Sequence, residues 1–489
     1  MIKQSRIRNI VCNIKKKINK ELQKENFYDA LALISTCASL LYTTNLYYTD
    51  DDLENWLNLI SKKVIEMSRY YPTDKEVAIF YDGFGFNSRG LAQIYVAALS
   101  KYKKVIYITK ESRKNDIPDI LDILDKNDGQ AFFLLDAELK EKIYQLREII
   151  EVVRPGHFLF YGMPDDIVAI TVMNAYQGKM TRYQVNLTDH AFWLGSKAID
   201  VCIEFREYGA CISSEYRNIP KEKIVMIPFY PVIDYEQKFQ GYPFAFDAQK
   251  QKLIFSGGSL YKTLGGNNLY YQIVDSVLGN HPEIIFWYAG SGKHWEIDKL
   301  KRKYPGRVYL TPERADLYQV LRHCDFYLST YPICGGLMFQ YAAAAGKIPV
   351  TLKYDAVSDG FLLRQNELQI EWNSVGEIKA EIESILADEG YRKKKEEQLI
   401  ESVPSQAQFN EHMRLLFSDK KSLPQIHYDH IDTVKFRSEY LDRCTWNTIN
   451  MEIAKPQFFK TNFRQYPFCF ATGTICRIWK ILVCKIMQH

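Results

Sequence analysis

The chain has 489 residues, is 47% hydrophobic and 25% charged, and carries a formal net charge of +4. This length exceeds what one hydrophobic core usually serves, so two domains are expected, and the composition excludes a disordered or fibrous protein. The small net charge and the lack of a basic stripe with interleaved aromatic residues argue against nucleic acid as a partner.

The ten cysteines are dispersed, with no Cys-x-x-Cys pair and no Cys/His cluster at zinc spacing. Dispersed thiols in a long chain favour a reducing compartment, so we expect a cytoplasmic protein without a metal site. The basic N-terminus lacks the apolar segment and cleavage site of a secretory signal. No apolar run reaches the ~20 residues that span a bilayer.

Residues 1–72 are predicted to form a helical extension. Apolar residues recur at helical spacing over residues 30–41, and a second periodic run over residues 53–67 follows three aspartates. The expected role of this extension is to cover an edge of the first sheet.

From residue 73 onward, short apolar runs alternate with helical stretches, which predicts an α/β fold with parallel, doubly wound sheets. In an N-terminal domain of residues 73–245, strands are predicted at residues 77–80, 105–108, 132–135, 158–161, 201–203 and 224–227. After a polar, proline-bearing stretch the pattern restarts. The C-terminal domain, residues 246–420, has predicted strands at residues 253–255, 284–288, 308–310, 326–328 and 348–352.

Four strand-end loops of the C-terminal domain are rich in small or polar residues. They contain Ser256-Gly257-Gly258 followed by Lys262, Gly290-Ser291-Gly292, the stretch from Thr311 to Glu313, and Gly335-Gly336. Small residues let backbone N–H groups approach a diphosphate, and a lysine neutralises its charge. Because the carboxyl ends of parallel strands meet at one edge, four such loops indicate a ligand site more than turn chemistry alone.

This order of motifs over residues 250–355 resembles the donor half of glycosyltransferases with the GT-B fold, which have two facing Rossmann-like domains. The match includes glycosyltransferase group 1 and the O-linked N-acetylglucosaminyl and glucosyl transferases. The resemblance implies a nucleoside-diphosphate sugar as donor substrate, no other cofactor and no bound metal. It further implies a set of donor-binding residues: Gly257, Gly258, Lys262, Gly290, Ser291, Thr311, Glu313, Gly335, Gly336 and Gln340.

Two positions depart from the family pattern. Many members carry an arginine shortly before the lysine, where this chain has Ser256-Gly257-Gly258. Many also carry a carboxylate that binds the ribose, where this chain has Gln340, whose hydrogen bond would be weaker. These departures leave open a catalytically degenerate GT-B protein that stabilises a partner transferase. A sugar epimerase on the same fold would need carboxylates in the cleft, which the sequence does not identify.

The first domain contains a glycine-rich loop after its first predicted strand. Its candidate acceptor and phosphate residues are Gly83, Gly85, Asn87, Ser88 and Arg89. The glycines permit a close-packed loop at a helix N-terminus, Asn87 or Ser88 would cap that helix, and Arg89 would face an anionic ligand. By the family resemblance this loop reaches toward donor phosphate and acceptor. The alternative is a capped glycine turn.

Asp189 and His190 form an adjacent polar pair ahead of an aromatic patch. Histidine can act as a base toward an acceptor hydroxyl or hydrogen-bond a phosphate. Asp189 would either orient His190 or act as the base itself. The alternative is a structural histidine.

Residues 421–489 form an aromatic and basic tail. Ile475, Ile478, Trp479, Leu482 and Ile486 fall at helical spacing, with cations on the opposite face. This pattern predicts an amphipathic helix that lies on an anionic membrane surface, beside a lipid-linked glycan. In the alternative, its apolar face docks on the protein itself or on a partner subunit.

The expected function is transfer of a hexose from a nucleoside-diphosphate sugar to a hydroxyl of a glycan, lipid-linked glycan or protein, in assembly of bacterial surface polysaccharide or glycoconjugates. The acceptor hydroxyl would attack the anomeric carbon, and the nucleoside diphosphate would leave. The sequence leaves open whether the configuration is retained or inverted.

Overall fold

The computed structural model describes residues 3–67, 73–85, 91–353, 362–363, 371–442 and 444–486. The chain folds into two compact units. The first unit contains Met1–Ile227 and Asn410–His489, and the second contains Pro228–Phe409. The second unit therefore begins before the boundary that the sequence suggested at residues 245–246, and the tail belongs to the first unit.

The N-terminal extension is helical: α1 (Gln4–Gln23), α2 (Phe27–Thr44) and α3 (Asp51–Val64). Buried residues of α1 recur every three or four positions, and α2 is buried on nearly every face, so α2 lies within the core of the first unit. Asp50 caps α3, because its Oδ1 accepts a hydrogen bond from the Leu53 N–H at 3.2 Å. The extension is thus an integral part of the first unit.

The sheet of the first unit has seven strands: β1 (Asp74–Asp82), β2 (Lys104–Lys110), β3 (Gln130–Leu134), β4 (Pro155–Tyr161), β5 (Thr181–Val185), β6 (Val201–Glu204) and β7 (Ile224–Met226). Their order is β3-β2-β1-β4-β5-β6-β7, and neighbouring strands pair in parallel. The helices of this sheet are α4 (Leu91–Leu99), α5 (Pro118–Lys126), α6 (Leu139–Val153), α7 (Ile167–Ala175) and α8 (Glu207–Glu215). The chain direction across the sheet reverses between β1 and β4, which is where ligands of such sheets bind.

Strand β5 was not among the predicted strands. It carries Arg182 and Gln184, which are buried although polar. Arg182 satisfies its charge by a bidentate contact with Asp200, with Nε–Oδ2 and Nη2–Oδ1 distances of 2.9 and 2.7 Å. A polar strand of this kind lacks the continuous apolar run on which the prediction depended.

The second unit contains strands β8 (Lys252–Gly257), β9 (Ile284–Ala289), β10 (Val308–Thr311), β11 (Phe326–Leu328), β12 (Pro349–Leu352) and β13 (Glu371–Trp372). Their order is β10-β9-β8-β11-β12-β13, and all of them pair in parallel. The helices are α9 (Leu269–Asn280), α10 (Trp295–Lys303), α11 (Leu317–Arg322), α12 (Gly336–Ala344), α13 (Val375–Ala387) and α14 (Glu389–Ser402). Both sheets are Rossmann-like, which confirms the predicted α/β fold.

After α15 (Gln406–Ser418), the tail forms α16 (Val434–Asp442), α17 (Trp446–Ile453), α18 (Phe459–Gln465) and α19 (Pro467–Ile486). A Cβ added to Gly473 would lie closer than 3.0 Å to the Asn450 carbonyl oxygen, so α19 touches α17 at the backbone. Arg477 Nε donates to the Met451 carbonyl oxygen at 3.0 Å. The side of α19 that bears Arg477 therefore faces the protein. Of the helices in the described residues, none is both long and apolar enough to cross a membrane.

Candidate functional site

The loops that follow β8, β9 and β10 are joined by backbone hydrogen bonds at the carboxyl edge of the second sheet. Gly258 N–H donates to the Ala289 carbonyl oxygen, and Gly290 N–H donates to that of Thr311, each at 2.9 Å. Leu260 N–H donates to the Ser291 carbonyl oxygen at the same distance. The structure thus brings together three of the four loops that the sequence singled out.

Two positions in these loops require glycine, one because of its backbone conformation and the other because there is no space for a side chain. Gly258 has φ of +114°, and a Cβ added there would meet no atom of the described residues within 4 Å. Only glycine adopts this backbone conformation readily, and the space above it is open. Gly290 has no such space, because its added Cβ would lie within 3.0 Å of the Gly258 carbonyl oxygen.

The fourth loop meets the first at the switch point of the second sheet, between β8 and β11. Lys262 follows β8, and its Nζ lies 3.4 Å from the position of a Cβ on Gly335. Gly335 is the N-cap of α12 and provides no side-chain cap hydrogen bond. The lysine ammonium therefore lies beside the N-terminal turn of a nine-residue helix, whose N–H groups and dipole favour an anion.

Gln340 has a different environment from the other donor candidates. Its side chain is only 1% exposed, and its Nε2 donates to the Phe229 carbonyl oxygen at 2.7 Å. In this structure Gln340 anchors the segment that opens the second unit, and its contact with a ribose stays a prediction.

An ion pair between Arg314 and Asp316 holds the stretch after β10. The Glu313 side chain in this stretch is exposed. Arg314 contacts the buried Asp316 bidentately, with Nε–Oδ1 and Nη2–Oδ2 distances of 2.7 Å. Arg314 Nη2 also donates to the Gly241 carbonyl oxygen at 3.1 Å. These contacts fix the main chain of the loop that contains the donor candidates Thr311 and Glu313.

The glycine loop of the first unit closes on Asp82, a residue that the sequence reasoning missed. Asp82 Oδ1 accepts hydrogen bonds from the N–H groups of Phe84 and Gly85 at 2.9 and 2.8 Å. Tyr107 donates its hydroxyl to Oδ2 at 2.7 Å, and burial raises the pKa of the Asp82 carboxyl. The Asp-Gly pair at the strand end, typical of an Asx turn, was the available signal. Predicted residues Asn87, Ser88 and Arg89 lie outside the described residues.

A cavity of about 580 Å³ adjoins this loop at the carboxyl edge of the first sheet. A Cβ on Gly83 would lie 3.0 Å from Asp166 Oδ2, which also accepts the Tyr81 hydroxyl at 2.9 Å. The cavity combines cations, carboxylates and apolar side chains, among them Lys110, Lys142, Lys455, Asp136, Asp165, Asp166, Leu134 and Phe458. The sequence did not reveal this cavity, because its lining comes from widely separated segments.

Asp189 and His190 lie on a loop of the first unit. Asp189 is buried, its Oδ2 accepts a hydrogen bond from Arg206 Nε at 2.5 Å, and its Oδ1 lies 3.3 Å from His190 Nδ1. Burial would raise the pKa of the Asp189 carboxyl, but the charge and hydrogen bond of Arg206 and the contact with His190 hold it well below its usual range. The His190 ring is partly exposed and contacts Phe436 and Tyr440.

Two further buried groups hold this loop in place. Arg217 Nη2 donates to the carbonyl oxygens of Thr188, Asp189 and Ala191 at 3.0, 2.9 and 2.7 Å. Glu54 on α3 accepts the Gly195 N–H at 2.7 Å. Hydrogen bonds from Arg217 and to Glu54 therefore fix the loop that contains Asp189 and His190. These two residues come from other segments of the chain, and no local sequence motif connects them to the loop.

Within the described ranges, no three or more histidine, cysteine, aspartate or glutamate side chains are grouped so that they could hold a metal ion.

Two Rossmann-like units of this topology define a GT-B-like fold, as the loop motifs predicted. The chain is similar to an O-GlcNAc transferase from Thermobaculum terrenum, with a TM-score of 0.53 and 13% identity over 88% of this chain and 82% of that one. It is also similar to UDP-GlcNAc 2-epimerase from Neisseria meningitidis, with a TM-score of 0.45 and 12% identity over 70% and 98% of the two chains. A third similar structure is TarM from S. aureus, with a TM-score of 0.43 and 15% identity over 57% and 59%.

No protein-family model and no curated protein sequence matches the chain. At 13% sequence identity the likeness to the O-GlcNAc transferase structure establishes the fold alone.

Proposed function

We propose that this protein is a glycosyltransferase that moves a hexose from a nucleoside-diphosphate sugar to an acceptor hydroxyl. The observation that carries the proposal is the position of the Lys262 ammonium beside the N-terminal turn of α12. Breaking the bond to the sugar leaves negative charge on the diphosphate, and a fixed cation and helix N-terminus stabilise that charge. This arrangement supports a donor site that works without a bound metal or other cofactor.

The acceptor is proposed to bind to the first unit, where the cavity near Gly83 offers lysines, carboxylates and apolar surface to a polyhydroxylated ligand. His190 would remove the proton of the attacking hydroxyl. A carboxyl with a depressed pKa is a weak base, so the role left to Asp189 is to orient the His190 ring through its Nδ1 contact.

The proposed setting is the assembly of surface polysaccharide or glycoconjugates in a bacterium, at the cytoplasmic face of the membrane. The tail would make the peripheral contact and bring the enzyme to a lipid-linked glycan. The similarity to the Thermobaculum terrenum O-GlcNAc transferase supports a transferase and leaves the acceptor class, which includes proteins, to experiment.

A second candidate function is that of a catalytically degenerate protein that stabilises a partner transferase. The hydrogen bond of Gln340 to the Phe229 carbonyl oxygen favours it, because this side chain occupies the position from which related enzymes grip the ribose. Binding of a nucleoside diphosphate without sugar transfer to any tested acceptor, or to water, would favour this candidate.

Calorimetric titration with a panel of nucleoside diphosphates tests the donor site. We expect one of them to bind, and Lys262→Ala to weaken its binding roughly 10- to 100-fold, because a charge-assisted hydrogen bond contributes about 1.5–3 kcal/mol. The corresponding nucleoside should lose little affinity, since it has no phosphate for the lysine to contact.

The matched control is Arg302→Ala, which removes an exposed cation from α10 of the same unit and should leave binding unchanged. If none of the nucleoside diphosphates binds, or if the lysine variant binds as tightly as the native chain, the proposed donor site is wrong.

A further inference from the structure

The first helix and the C-terminal tail lie against each other in the first unit. Lys17 Nζ lies 3.6 Å from the centroid of the Tyr466 ring and donates to the Gln465 carbonyl oxygen. Gln465 Nε2 in turn donates to Glu21 Oε1 at 3.0 Å. The C-terminal half of α1 therefore contacts the junction between α18 and α19.

These two segments carry the positive charge of the chain. Residues 1–20 contain seven lysines and arginines, residues 453–489 contain six, and neither segment contains an aspartate or glutamate. The rest of the chain has 50 basic residues against 59 acidic ones. The positive charge of the sequence is thus concentrated in two segments that contact each other. Lys455, Lys460 and Arg464 of the tail are paired with carboxylates of other segments.

Several cations of this region are available to a partner. Arg6, Arg8, Lys16 and Lys20 of α1 and Lys480 of α19 are exposed, and they form no ion pair within the described part of the chain. Lys16 and Lys20 flank Lys17, so they border the contact with the tail. By contrast, Lys15 is neutralised by Asp50 and Asp52, with Nζ–Oδ2 distances of 2.9 and 2.5 Å.

The same region exposes a row of large apolar side chains. Trp479 is 68% exposed and Phe468 is 86% exposed, and the row is completed by Ile475, Ile478 and Leu482. Their helical spacing places them away from Gly473 and Arg477, which contact α17. Phe459 and Phe463 of α18 add two further half-exposed rings beside the start of α19.

We infer that α1, α18 and α19 form one surface that docks on an anionic lipid bilayer. The apolar row of α19 lies in the interface, and the cations of α1 contact the lipid phosphates. A second copy of the chain fits this surface less well, because a two-fold interface through it would oppose the basic α1 helices. The inference extends the membrane contact proposed for the tail, and it does not depend on glycosyl transfer.

The test is vesicle flotation of the full chain with phosphatidylcholine alone or mixed with phosphatidylglycerol. The native chain should float with the mixed vesicles and more weakly with phosphatidylcholine alone, and added salt should weaken its binding to the mixed vesicles. Lys16→Glu/Lys20→Glu should lower it by about tenfold or more, since each cation near an anionic surface contributes about fivefold. Ile475→Ser/Trp479→Ser should lose binding to both kinds of vesicle. All four side chains are mostly solvent-facing, so both variants should fold.

Matched controls come from the same unit. Lys101→Glu/Lys179→Glu reverses two exposed lysines elsewhere, and Val152→Ser removes an 81% exposed apolar side chain on α6. Both should bind vesicles like the native chain. The proposed membrane surface would be wrong if control and test variants lost vesicle binding equally, or if either test variant bound vesicles as tightly as the native chain.

The oligomeric state and nucleotide binding complete the test. A concentration-dependent dimer that Ile475→Ser/Trp479→Ser abolishes would also overturn the inference in favour of a second copy. Nucleoside-diphosphate titration without lipid should be unchanged in both test variants. If nucleotide binds but vesicles do not, the membrane surface fails while the proposed donor site stands. If vesicles bind but nucleotide does not, the proposed donor site fails while the membrane surface stands.

Discussion

Gly290→Ala is expected to lower the affinity for a nucleoside diphosphate about 100-fold or more. The added Cβ would overlap the carbonyl oxygen of Gly258, which is backbone and cannot rotate away. The loop after β8 must then shift, and it carries both the open space above Gly258 and the Lys262 ammonium. Misplacing a binding group by about 1 Å costs on the order of 100-fold. Calorimetric titration measures the affinity, and circular dichroism checks that the variant is folded.

The matched control is Gly376→Ala in α13 of the same unit. Among the described residues, a Cβ there would meet only Ser374 Oγ, at 3.8 Å, so it fits without displacing any of them. Alanine is the better helix former, so we expect unchanged nucleotide binding and about 0.5–1 kcal/mol of added stability. Native affinity in Gly290→Ala would show that the contact between the two loops does not shape the ligand site.

Much of the fold could be predicted because strands buried on both faces read as continuous apolar runs. Residues 284–288 of β9 are one such run, and the observed strand is Ile284–Ala289. Strand β5 was not predicted because Arg182 is polar, and its ion pair with Asp200 forms only in the folded chain. Periodicity measures burial through apolar residues, so it fails where burial is achieved by a paired charge.

The meeting of strand-end loops could also be predicted, because it follows from parallel strand order alone. Lys262 and Gly335 are far apart in sequence, yet both follow strands at the switch point of one sheet. The partners of individual side chains could not be predicted in this way. The ribose contact of Gln340, which the family resemblance implies, stays a prediction. Its hydrogen bond to the Phe229 carbonyl oxygen could not be predicted, because it depends on the path of the segment that opens the second unit.

The tail has one feature that the sequence could predict and two that it could not. Helical spacing predicted an amphipathic α19, and its apolar side is exposed in the structure. The spacing could not show that Arg477 would face α17, because this depends on the close approach at Gly473. Nor could it show that α1 lies beside the tail. Lys17 and Gln465, which form a hydrogen bond, are at opposite ends of the chain.

Asp189→Asn is expected to destabilise the first unit by about 3–5 kcal/mol, because it leaves the Arg206 guanidinium buried without its counter-charge. Urea unfolding at neutral pH measures this loss. Asp189→Asn/Arg206→Met is the matched double variant. It should be less destabilised than the sum of the two single changes, since no unpaired charge remains. Additive losses would show that the two side chains do not depend on each other.

The pH dependence of stability separates a structural carboxylate from a catalytic base at the same residue. The pKa of Asp189 is lower in the folded chain than in the unfolded one, so its contribution is fully present above about pH 4 and is lost as the pH falls below that value. The difference in unfolding free energy between the native chain and Asp189→Asn should therefore shrink on acidification. A base that takes up a proton near neutral pH would instead make this difference change between about pH 6 and 8. His190→Asn should keep most of the stability loss at acid pH, because Arg206 still lowers the Asp189 pKa. It should lower the transfer rate, because His190 is the proposed proton acceptor and Asp189 orients it.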